Sequence, residues 1–128
     1  MVLIIGGAYQ GKLDFAKSAF GLSESDVFTC TGGEIDFSRR CIDRIEEFTL
    51  WCVQSGVDAV AFFQSRREQW QDSILICEDI SAGVVPMGAE MRAWRQMNGL
   101  LCRYLSGEAA RVSRLFCGLE ERLKWPFF

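Results

Sequence analysis

The chain has 128 residues, 49% hydrophobic and 24% charged with only 2 prolines, which predicts one compact globular domain over residues 1–128. A net charge of −3 with both signs interspersed gives no broad basic field, so nucleic acid is not an expected partner. No apolar run is long enough to cross a bilayer, and the apolar start lacks a basic flank and a small-residue cleavage site; the expectation is a soluble cytoplasmic protein without a membrane partner.

The first element is a continuous apolar run from Val2 to Ile5, the pattern of a strand buried on both faces. It runs into Gly6, Gly7, Ala8, Tyr9, Gln10, Gly11 and Lys12, which fit the phosphate-loop pattern G-x-x-x-x-G-K-S/T at every position but the last. Leu13, Ala16, Ala19 and Phe20 then recur at helical spacing, with Gly21 as the C-cap. Strand, glycine turn and helix in this order aim backbone N–H groups and the positive helix end at one point. An anion fits there, and Lys12 adds a full charge near the terminal phosphates. The alternative is an ordinary tight turn. Leu13 stands where a hydroxyl normally ligates magnesium, so any Mg²⁺ must be held by water, by carboxylates elsewhere and by the phosphates themselves.

A short second strand is predicted over residues 26–30 and ends at Thr31-Gly32-Gly33. Residues 38–54 read as an amphipathic helix, with Cys41, Ile45, Phe48 and Cys52 as its apolar stripe and Ser55-Gly56 as its end. Residues 58–70 read as a further helix with Asp58 as N-cap, or alternatively hold a buried strand at 59–63. Residues 73–77, SILIC, form the clearest internal strand. Alternating strands and helices predict a parallel sheet covered by helices, with ligands outside the carboxyl ends of the strands. Glu78 and Asp79 sit at such an end. Of the two, Asp79 is expected to hold magnesium through water or to receive a proton from an attacking hydroxyl, unless both merely close the strand.

Residues 81–86, SAGVVP, form a small-residue loop that lets a ligand approach the backbone. After Pro86 a long helix is expected, with Met87, Met91, Trp94, Asn98, Leu101 and Leu105 as its buried seam and Arg92, Arg95 and Arg103 off it. Residues 112–117 form the last strand, turning at Gly118 into a charged tail, 119–124. The 6 cysteines never occur as C-x-x-C and are read as small apolar packing residues, with Cys41 and Cys52 on one helix face. The chain has 0 histidines, which excludes Ser-His-Asp and Cys-His systems and any phospho- or nucleotidyl-histidine intermediate.

Four segments in this order, VLIIGGAYQGK, ICEDISAGVVP, AEMRAWRQMNGLLCRYLS and VSRLFCGLEERLK, resemble the adenosylcobinamide kinase/adenosylcobinamide-phosphate guanylyltransferase family of cobalamin biosynthesis. The likeness covers both ends of the chain and is weak over residues 31–70. It implies a P-loop NTPase-like three-layer α/β fold and phosphorylation of a corrinoid aminopropanol hydroxyl from ATP or GTP with Mg²⁺. Assembly into a homo-oligomer is also implied. Carried over by position, Gly6, Gly7, Gly11 and Lys12 match the family's phosphate loop, and Asp79 matches an acidic residue before its G-x-G-I/V-V-P segment. Because the family's guanylylated histidine has no counterpart, guanylyl transfer by that route is excluded. Two readings follow: a reduced corrinoid kinase working through Lys12 and Asp79, or a non-catalytic nucleotide- or corrinoid-binding regulator or subunit.

Overall fold

Alternating side chains let one short strand serve two cores. In β1 (Val2–Gly6) the fully buried Leu3 and Ile4 point to opposite faces of the sheet, each into a different apolar cluster. The structure, a computed structural model, describes residues 1–80 and 88–125. Within them the chain runs β1, α1 (Lys12–Phe20), a 3₁₀ turn, β2 (Val27–Thr29), β3 (Cys41–Asp43), α2 (Ile45–Ser55), α3 (Ala59–Gln64), α4 (Arg67–Trp70), β4 (Ile74–Glu78), α5 (Ala89–Glu108), β5 (Arg111–Phe116) and β6 (Leu119–Lys124).

The strands form one six-stranded sheet in the order β2-β3-β4-β1-β5-β6, parallel except for the β5–β6 hairpin. Helices cover both faces. Ala16 of α1 packs on one face against Ile4, Cys41, Ile74, Ile76 and Leu115. On the other face Phe48 and Cys52 of α2, Phe63 of α3, Trp70 of α4 and Leu101 and Leu105 of α5 pack on Leu3, Ile42, Leu75 and Val112. The expected α/β architecture with a mostly parallel sheet between helices is therefore present. Among the described residues no helix is long and apolar enough to cross a membrane.

Several expected elements keep their places. Gly21 closes α1 in the left-handed conformation (φ 63°), and Asp58 caps α3 by accepting from the N–H groups of Val60 and Ala61 at 3.0 and 3.2 Å. The 59–63 stretch is thus helical rather than a strand. The predicted helix over 58–70 is interrupted, however. Arg66 leaves helical geometry (φ −120°, ψ 22°), and the indole of Trp70 folds back to donate to the Phe63 carbonyl at 2.8 Å.

The largest correction concerns residues 38–54. Cys41, Ile42 and Asp43 pair in parallel with β2, Cys41 and Ile42 pair also with β4, and only Ile45 onward is helical. The stripe of Cys41, Ile45, Phe48 and Cys52 fits helical spacing by coincidence, since a three-residue strand is too short to show its own period. As a result Cys41 and Cys52 lie on opposite faces of the sheet, not on one helix face. Burial pushes the thiols of Cys30, Cys41 and Cys52 up to about 12, in keeping with packing roles, whereas Cys117 is exposed on the hairpin turn.

In α5 the seam is shorter than expected. Asn98, Leu101 and Leu105 are buried, Trp94 is half-buried and Met91 is exposed. Met87 and the SAGVVP loop lie outside the described residues.

The expected charged tail is β6. It forms the edge of the sheet, where charge on both sides discourages further strand addition and conceals the strand from an alternation test. Glu120 ties it down by accepting from Ser113 Oγ at 2.6 Å, from Arg111 and from Arg122. Burial alone would raise this carboxyl, but the Ser113, Arg111 and Arg122 hydrogen bonds outweigh it and bring Glu120 down to about 2. A carboxylate held low in the folded state stabilises above its unfolded value of about 4.5 and loses that contribution as the pH falls toward 2. Glu120→Gln should therefore melt below wild type at pH 7, with the gap closing between pH 4.5 and 2. Melting curves across that range check it, and a constant gap would refute the linkage.

Candidate functional site

β1 ends between β4 and β5, so the chain leaves the sheet at the carboxyl ends of its central strands. Gly6 is required by close approach: a Cβ there would sit 2.8 Å from the Leu115 carbonyl oxygen of β5. Gly11 is required by conformation, because its φ of 80° turns the backbone into α1. Between them Tyr9 (φ 60°) stands fully exposed at the tip. The Gln10 amide oxygen accepts from the Cys117 N–H and fastens the loop to the β5–β6 turn. Lys12 opens α1, and its ammonium donates to the Gly7 carbonyl at 2.7 Å, curling back over the loop.

This loop forms one wall of a cleft of about 500 Å³, a size that admits a mononucleotide. Ala8, Tyr9, Gln10, Gly11, Lys12, Leu13 and Asp14 line that wall, and Asp43, Arg44, Glu46 and Glu78 line the opposite one. All the loop residues from Ala8 to Leu13 named from the sequence thus face one space. Leu13 also packs on the core beneath α1, which explains an apolar residue in this position structurally while leaving the cleft without a hydroxyl there.

The opposite wall was partly hidden in the sequence. Asp43 ends β3 just as Glu78 ends β4, and both point at the cleft. Asp43 is 8% exposed; burial raises its carboxyl, while the Arg44 N–H, donating at 2.9 Å, opposes the shift. Glu78 is raised by burial and then by the negative charge of Glu46. Glu46 is itself buried, and one of its oxygens accepts from the Glu78 N–H at 2.9 Å. Behind it, Asn98 of α5 donates to the Glu78 carbonyl at 3.0 Å and accepts from Thr49 at 2.9 Å, so α2, β4 and α5 hold the acidic wall together. Asp43 and Glu46 escaped notice because residues 38–54 resembled one helix. The available signal was an apolar pair, Cys41-Ile42, ending in an acid, the same form as the SILICE strand end.

Asp79 does not line this cleft. Successive strand residues point to opposite faces, so Glu78 follows Ile76 toward the α1 side and Asp79 follows Cys77 toward α5. Asp79 instead borders a separate cavity of about 190 Å³ with Ile5, Ile80, Arg95, Asn98, Gly99 and Cys102, while its backbone N–H donates to the Gly6 carbonyl at 2.8 Å. The position expected of Asp79 in the cleft is taken by Glu78 and Asp43. Arg95 shares the Asp79 cavity, and Arg103 lies on a further depression near Tyr104 and Glu108.

The carboxylates of Asp14, Asp43, Glu46 and Glu78 outnumber the cations Lys12 and Arg44 in the lining. Polyphosphate alone would meet net repulsion here, and a divalent cation bound with it would reverse the sign. Among the described residues no group of three Asp, Glu or Cys side chains is placed to hold a metal unaided. The donor set fits Mg²⁺ held through water and phosphate oxygens, with Asp43 and Glu78 as the facing carboxylates. No known protein family matches the chain, and a search of curated proteins finds no match.

Proposed function

We propose that the chain is a P-loop kinase-like transferase of cobalamin biosynthesis that binds ATP or GTP with Mg²⁺ and phosphorylates a corrinoid alcohol. One observation carries this reading: Lys12, at the positive end of α1, faces the buried carboxylate Asp43 across a nucleotide-sized cleft. The loop amides of residues 7–12 and Lys12 hold the outer phosphates. Mg²⁺ bound with the nucleotide, and held through water by Glu78, would supply charge neutralisation between those phosphates. A substrate hydroxyl oxygen attacks the terminal phosphorus as the bond to the bridging oxygen breaks, leaving the diphosphate. The hydroxyl proton passes to Asp43, whose burial makes it a better acceptor than a solvated aspartate. Lys12 balances the charge on the transferring group.

Calorimetry of ATP and GTP with and without Mg²⁺ tests the binding step, and incubation with adenosylcobinamide followed by product analysis tests the transfer. Affinity that rises with Mg²⁺ and a phosphorylated corrinoid are the expected results. Absence of nucleotide binding overturns the reading. Leu13 favours the second one, a non-catalytic binder, whose signature is affinity indifferent to Mg²⁺ with no turnover of either nucleotide.

A further inference from the structure

The residue that follows Asp43 has a conformation its side chain does not favour. Arg44 adopts φ 58° and ψ 47°, in the left-handed region, where a non-glycine residue is strained. It occupies the N-cap of α2, a position usually filled by an extended Ser, Thr, Asp or Asn, yet makes no side-chain capping bond. Neither local propensity nor helix capping accounts for an arginine there. Its backbone N–H instead holds Asp43, and its side chain lines the cleft opposite the phosphate loop.

The guanidinium has ion-pair partners but no hydrogen bond to them. Its ion pairs with Glu46 and Glu47 span 3.7 and 3.6 Å, longer than hydrogen bonds, and the side chain is 57% exposed. The pair with the partly exposed Glu47 contributes little, and Glu46, whose side chain is 5% exposed, draws the guanidinium toward its wall without a hydrogen bond. An arginine in this state keeps its forked donors available for a phosphate, which they match in geometry.

We propose that Arg44 is a phosphate-gripping residue, the second fixed cation of the cleft, contacting the outer phosphates of the nucleotide from the wall facing Lys12. This rests on the reading of the cleft as a nucleotide site and adds to it a residue outside the phosphate loop. With Leu13 supplying no oxygen to a metal, a cation on the far wall compensates by holding the same phosphates directly. Strain at Arg44 is retained because it aims the side chain.

Calorimetric titration of wild type, Arg44→Gly and Arg44→Lys with the Mg²⁺ complexes of ATP and ADP and with AMP tests this. Glycine tolerates φ 58°, so Arg44→Gly should melt no lower than wild type, which separates charge from folding. ATP affinity should fall about tenfold or more in Arg44→Gly, the loss of charge-assisted hydrogen bonds. The loss should shrink from ATP to ADP and vanish for AMP, and Arg44→Lys should recover part of it. Wild-type ATP affinity in Arg44→Gly, or an equal loss for all three nucleotides, overturns the role of Arg44 alone. A wild-type protein that binds none of them overturns the nucleotide reading and Arg44 with it.

Discussion

Lys12→Ala is expected to slow phosphate transfer about 10²- to 10³-fold and to weaken ATP and GTP binding at least tenfold, while leaving the fold intact. The asymmetry follows from its surroundings. Among the described residues the ammonium of the free protein donates to the Gly7 carbonyl, a charged hydrogen bond contributing about 1.5–3 kcal/mol, less than the usual margin of about 5–15 kcal/mol by which a domain is stable. In the proposed nucleotide complex the same charge faces the transferring group, where losing one positioned donor typically costs about 10² to 10³ in rate. Single-turnover assays with calorimetry and melting curves read the three effects separately. Transfer at the wild-type rate in Lys12→Ala would remove this lysine, and with it the phosphate-loop reading, from the mechanism.

Phe48→Ala should destabilise the protein by about 3–5 kcal/mol, the range for emptying a large aromatic from a closed core. Phe48 is fully buried, with its ring 4.7 Å from that of Phe62, 5.8 Å from Phe63 and 6.1 Å from Trp51. Trp51 in turn closes over Gly33, where a Cβ would come within 2.4 Å of its ring. The cluster therefore joins α2 and α3 to the chain between β2 and β3. For a domain of this size the loss corresponds to a fall of about 10–15 °C in melting temperature. Phe48→Leu should cost less than half as much, because most of the volume is kept. A change below about 1 kcal/mol for Phe48→Ala would mean that α2 is not packed on this face. Since α2 follows directly on Asp43 and Arg44, the variant should also weaken nucleotide binding more than its distance from the cleft implies.

One wall of the cleft was legible in the sequence and the other only at Glu78. The loop wall is written locally: an apolar run, glycines at 6 and 11, a lysine and a helical period follow one another without a break. Steric demands that act between neighbouring residues specify its turn into α1, as the left-handed Gly11 illustrates, while the glycine at 6 answers to a tertiary contact with Leu115 of β5. The acidic wall is assembled from β3 and β4, separated by three helices in the chain. Cys41-Ile42-Asp43 becomes a strand because β2 and β4 offer hydrogen-bonding edges on either side, information that a three-residue segment does not carry. The choice between Glu78 and Asp79 had the same origin. Adjacent carboxylates are equivalent in a sequence, but strand alternation sends one toward α1 and the other toward α5.

The sequence by itself determined the α/β alternation, the strand–loop–helix unit at residues 2–20, the lack of any histidine chemistry and the lack of a hydroxyl at Leu13. These are properties of residue type and short-range spacing. Only the tertiary structure decided that β6 closes the sheet, that Cys41 and Cys52 face different cores, and that Asp43, Arg44 and Glu78 confront Lys12. Each of these depends on pairing between strands distant in the chain, where cooperative burial and backbone hydrogen bonding override local pattern.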